Sequence, residues 1–173
     1  MPSSTARDAL IALTALLAPG DPDVTDRVTS AHDDPDAFVR DNADRLDDRG
    51  IDEPIPELAW IALVDALADH DLLAEVDWKE ESEEIIGQLR ALRSNPGDGV
   101  WTWLEGQDIH VATFEFLELA GAGLRAAGTS LAVLDIESDC YPLVLVPNAD
   151  APDLVSLATA AGFTAGVLGV RQA

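Results

Sequence analysis

The residues best placed to do chemistry are Asp77-Trp78-Lys79. Lys79 is the sole lysine of the chain and stands among Glu75, Asp77, Glu80, Glu81, Glu83 and Glu84. Such company favours the ammonium over the free amine, which argues against a nucleophilic lysine. The plain alternative is a salt bridge beside a buried tryptophan. Trp78, Trp101 and Trp103 would instead line a pocket if they converged, since large aromatics serve in cores and as interface anchors alike.

Asp135, Glu137 and Asp139 stand at alternate positions around a turn, a pattern of oxygens that suits a hard cation such as calcium. The match to a calcium loop ends there: Cys140 stands where glycine is needed, and no bidentate Glu closes the loop. A polar turn between two buried strands is the alternative. Asp139 and Tyr141 at this turn join the binding candidates. Asp65, between Val64 and Ala66 within a helix, is a further one: if buried, it needs a cationic partner, and arginines are few. Otherwise it lies on the helix's exposed edge with Asp69.

Other chemistries find no support. His32, His70 and His110 show no zinc spacing, and one cysteine forms neither an internal disulfide nor a Cys-rich metal site. The acids near Cys140 disfavour its thiolate. No nucleophile elbow, phosphate loop or dinucleotide fingerprint is present. Gly121-x-Gly123 follows no strand and reads as packing within a helix. No cofactor is expected.

These residues must be positioned by elements that the apolar spacing marks out. Leu10, Leu13 and Leu17 define a first helix ended by Pro19-Gly20. Asp21-Pro22 and Asp34-Pro35 each read as a cap followed by proline in the first turn of a short helix. Trp60, Leu63, Val64 and Leu67 form a strong stripe over 57–70, and Ile85, Ile86, Leu89 and Leu92 another after Ser82. Leu72 to Val76 suits a strand; Trp101-Thr102-Trp103 alternates in strand fashion but is very short. Phe114, Leu117, Ala120 and Leu124 share a helical face. Residues 131–136 and 141–146 are apolar on both faces, a β-hairpin covered on both sides, with Pro142 expected at an edge or a strand start. A last helix follows Asp150, Gly162 stops it, and 163–168 closes as a strand.

The pattern predicts an α+β fold: a small, mostly antiparallel sheet in the C-terminal part covered by helices, with a helical acidic N-terminal extension. The expected division is 1–53, packed on the body, and an α+β domain over 54–173.

Charge is the outlying property. Asp and Glu number 33 against 10 Lys and Arg, a net −23. Segment 21–53 holds twelve acids and four arginines, and 65–84 nine acids and Lys79. Such a surface repels nucleic acid and anionic membranes and attracts basic proteins. It also suits plain solvation or adaptation to a salty habitat. No secretory signal and no apolar run of about 18 residues is found, so a soluble, cytoplasmic protein is expected.

Val76-Asp77-Trp78-Lys79-Glu80, Ser138-Asp139-Cys140-Tyr141-Pro142-Leu143-Val144-Leu145-Val146-Pro147 and Ala158-Thr159-Ala160-Ala161-Gly162-Phe163 give a resemblance. The chain resembles an uncharacterised bacterial domain family with an Asp-Trp-Lys element and a later hairpin, over roughly 55–170. The resemblance implies a fold unit and a bacterial origin, with residues 1–53 outside it, and no activity.

Two functions are therefore expected in competition. One is an acidic binding protein that neutralises or regulates a basic partner, as an immunity-type protein or charge mimic would. The other is an enzyme or small-ligand protein with a pocket near Asp77-Trp78-Lys79 and the hairpin turn.

Overall fold

The computed structural model describes residues 4–107 and 110–170. Four short helices open the chain: α1 (Ser4–Leu17), α2 (Pro22–Asp33), α3 (Pro35–Asp41) and α4 (Ala43–Asp47). Proline begins α2 and α3, where its missing N–H is not needed. Asp34 caps α3 by accepting from the Ala37 amide at 3.1 Å. Gly50 turns the chain after α4 with a positive φ of 70°.

Helix α5 (Leu58–Asp69) is buried on every side from Leu58 to Leu67. Such a helix must be covered all round. α2 packs against it, while α1 packs on α2 and on α9 (Ala151–Ala161). The N-terminal helices thus share one apolar core with α5, α9 and a face of the sheet. Trp60 fixes α5 to that face: its indole N–H donates to the Asp135 carbonyl at 2.9 Å, and its ring stacks on Phe163 at 4.8 Å.

The sheet comprises β1 (Ala74–Asp77), β2 (Thr129–Asp135), β3 (Cys140–Pro147) and β4 (Thr164–Val167). Its order is β1-β3-β2-β4, antiparallel throughout. Side chains alternate between faces. Ala132, Leu134, Val144 and Val146 join the core with α5 and α9. Leu131, Leu143 and Leu145 join a second core under α6 (Ser82–Arg90), α7 (Gly99–Glu105) and α8 (Thr113–Ala126). Helices on both faces explain why the hairpin strands are apolar throughout.

Two local expectations need correction. Trp101-Thr102-Trp103 belongs to a helix, α7, not a strand: Trp101 and Leu104, three apart, are the buried pair. Pro142 lies in a central strand, paired with Glu75 of β1. It is tolerated because the β2 ladder on its other side ends at the Val133–Leu143 pair, one residue earlier in the sheet.

Gly121-x-Gly123 is packing. A Cβ on Gly121 would sit 2.6 Å from the Leu168 backbone, and one on Gly123 2.8 Å from the Trp103 ring. α8 therefore lies directly against the chain leaving β4.

Candidate functional site

Strand β1 ends in the Asp-Trp-Lys element, which the β1–β3 register sets beside the hairpin turn. Val76 faces Tyr141, Asp77 faces Cys140, and the Trp78 amide donates to the Asp139 carbonyl at 3.1 Å. The chain then turns: the Asp77 carboxylate accepts from the Lys79 amide at 2.9 Å, and the Glu80 amide donates to the Asp77 carbonyl at 3.0 Å. Thr113, the first residue of α8, donates its hydroxyl to the Glu80 carbonyl at 3.1 Å. That bond brings the start of α8 to the same end of the sheet, where the Phe114 and Tyr141 rings lie 6.2 Å apart.

The tryptophan is not buried and the lysine is not in a salt bridge, contrary to the plain sequence reading. Trp78 is 51% exposed, and the Lys79 ammonium lies 4.6 Å from its ring centroid. Lys79 takes part in none of the ion pairs found among the described residues. Phe114 is 49% exposed, although helical spacing assigned it to the buried face of α8; Phe116 fills the core in its place. Sequence reasoning missed Phe114 as a surface aromatic. The signal was available: Phe114 and Phe116 cannot share one helical face.

The three tryptophans do not converge. Trp101 is fully buried, its indole N–H donating to the Asn95 side-chain oxygen at 2.7 Å. Trp103 lies half-exposed across Gly123. A groove of about 430 Å³ runs between α6 and the end of α7, lined by Glu81, Glu83, Ile86, Leu104 and Glu105 among others.

The hairpin turn does not gather metal ligands. Asp135 Oδ1 accepts from the Glu137 amide at 2.8 Å, and Glu137 adopts a φ of +55°. This breaks the strand alternation that would have aligned Asp135, Glu137 and Asp139. Among the described residues no group of three or more His, Cys, Asp or Glu stands ready to hold a metal ion. Cys140 is half-buried; burial, then the charges of Glu75 and Asp77, push its thiol above its ordinary value.

Asp65 is buried, and its partner is Arg49. Arg49 donates from Nη2 at 2.6 Å and from Nε at 3.0 Å to Asp65 Oδ1, and from Nη2 and Nη1 to Glu75 at 2.8 and 3.1 Å. Burial disfavours the guanidinium charge, but its hydrogen bonds to Glu75 and Asp65 more than offset this and raise the Arg49 pKa. The cluster joins the chain after α4 to α5 and β1. Nothing in the spacing of residues 49, 65 and 75 announces it.

Five further arginines also pair with carboxylates. Arg27 and Arg45 both bind Asp69, at 2.8 and 2.7 Å. Arg93 binds Asp21 at 3.1 Å, and His70 lies 2.9 Å from Asp23. Arg7 binds Asp33, and Arg90 binds Asp98 and Glu105. None of Asp26, Asp34, Asp36, Asp44, Asp47, Asp48, Asp52 or Glu53 is in an ion pair found among the described residues, and all are exposed. A groove of about 510 Å³ between α2 and α3 is lined by Asp26, Asp33, Asp34 and Asp41.

No helix among the described residues is long and apolar enough to cross a membrane. No curated protein and no solved structure matches the chain. One family matches over residues 9–169, so the acidic N-terminal helices lie within the family's domain and not outside it, as the resemblance had implied. By that match the chain belongs to the family described as Domain of unknown function (DUF6630).

Proposed function

We propose that this protein is an acidic cytoplasmic binding module that neutralises or regulates a basic protein partner. One observation carries the reading: seven of the nine arginines pair within the molecule, while a large share of the exposed carboxylates is left over. Arg7, Arg27, Arg40, Arg45, Arg49, Arg90 and Arg93 all pair within the chain. The exposed Asp26, Asp36, Asp44 and Asp47 of α2–α4 are in no ion pair found among the described residues. Arg49, just after α4, pairs with Asp65 and Glu75, so the acidic segments 21–53 and 65–84 touch at this cluster. A field of one sign steers an oppositely charged protein and repels nucleic acid.

The test is capture of partners from lysate of the source organism at about 0.1 M and about 1 M salt, where the Debye length is about 10 Å and about 3 Å. One dominant basic protein, retained at the lower salt and released at the higher, supports the reading. A partner held equally at both, or none at either, rejects it.

A further inference from the structure

We infer that Trp78 is the anchor of this binding surface and takes an arginine from a basic polypeptide segment, with Lys79 covering the ring until the partner arrives. The inference rests on the binding reading above and names its contact site.

Trp78 presents a half-exposed indole at the end of the edge strand β1. Phe114, and Val111 at 47% exposure, add apolar surface at the start of α8, and Tyr141 lies against Phe114. Exposed aromatics of this kind are characteristic interface anchors. Asp77, Glu80, Glu81 and Asp139 surround the anchor in the chain and across the β1–β3 pair. The surface therefore combines an aromatic platform with an anionic rim.

Lys79 indicates what the platform accepts. Carboxylates adjoin it in sequence, yet its ammonium lies over the Trp78 ring. A cation is thus already held on that face, by a flexible side chain that is strongly hydrated and easily displaced. Guanidinium is planar and more weakly hydrated, stacks on indole, and pairs with carboxylates in a fork at the same time. An arginine flanked by further basic residues satisfies both platform and rim. A second copy of this chain does not, because it carries the same −23. Nucleic acid is excluded by the same sign.

The test uses fluorescently labelled eight-arginine and eight-lysine peptides at about 50 mM salt, with binding read by anisotropy. The proteins are the wild type, W78A, K79A and W78A/K79A, each checked for native near-ultraviolet circular dichroism. We expect the arginine peptide to bind the wild type more tightly than the lysine peptide. Trp78→Ala weakens the arginine peptide and abolishes that preference. Lys79→Ala tightens it about two- to fivefold, and the gain disappears in the double variant. A Kd unaffected by Trp78→Ala overturns the anchor while leaving the acidic binding reading intact. A Lys79→Ala gain that persists without Trp78 reflects net charge alone and overturns the covering role. A wild type that binds neither peptide overturns both this inference and the reading on which it rests.

Discussion

Arg49 reaches Asp65 in the middle of α5 with Nη2 2.6 Å from the carboxylate, and its other face grips Glu75 of β1. One side chain thereby fixes the acidic helices to the sheet and satisfies the buried carboxylate of Asp65. Removing one partner of such a pair leaves the other charge unpaired. Arg49→Met should therefore cost about 2–4 kcal/mol in urea unfolding. Arg49→Lys should recover only part of it, because an ammonium cannot reproduce the fork. Asp65→Asn should cost less than Arg49→Met, since it removes the buried charge together with the pair.

The ion pairs give a signed dependence on pH. Burial alone would raise Asp69, but hydrogen bonds from Arg45 and Arg27 hold it below the ordinary carboxylate value. Asp23 and Asp33 are likewise lowered, chiefly by hydrogen bonds from His70 and Arg7. A carboxyl depressed in the folded state stabilises the fold above its unfolded value near pH ~4, and that contribution is lost as pH falls through the lower folded value. Thermal melts should show stability dropping below about pH 4. Asp69→Asn should flatten that acid limb; an unchanged limb would contradict the assignment.

Net repulsion predicts the response to salt. With 33 acids against 10 bases, like charges outnumber the pairs that salt would weaken. The melting temperature at pH 7 should rise between about 0.01 M and about 0.5 M sodium chloride. A falling melting temperature would mean that the ion pairs dominate.

Glycine substitutions separate close packing from backbone strain. A Cβ on Gly169 would sit 2.0 Å from the Ala122 backbone nitrogen, at a φ of +73°. Gly169→Ala should cost about 2–4 kcal/mol. Gly128, at φ +96°, has open space around it, so Gly128→Ala should cost only about 1 kcal/mol. Urea unfolding of the two variants gives the comparison.

Much of the fold was legible because burial leaves periodic traces. The even and odd residues of 131–134 and 143–146 are all apolar, which predicted a hairpin covered on both sides, and the structure places a core on each. The site was less legible because its geometry lies beyond the periodic elements. Trp78 follows the last residue of β1, so alternation no longer dictates its exposure. The spacing of Asp135, Glu137 and Asp139 aligns them only on an extended backbone, and the positive φ of Glu137 ends that alignment. Arg49, Asp65 and Glu75 meet through tertiary packing alone, which no local spacing encodes.

The central claim is that uncompensated carboxylates recruit a basic protein. Its most direct test is the lysate capture at about 0.1 M salt, repeated with Asp26, Asp34, Asp36, Asp44 and Asp48 changed together to Asn. None of these acids is in an ion pair found among the described residues, so the fold should survive the change. The account predicts a dominant basic partner on the wild type that is lost or strongly depleted on the variant. The same partner held equally by both would contradict it.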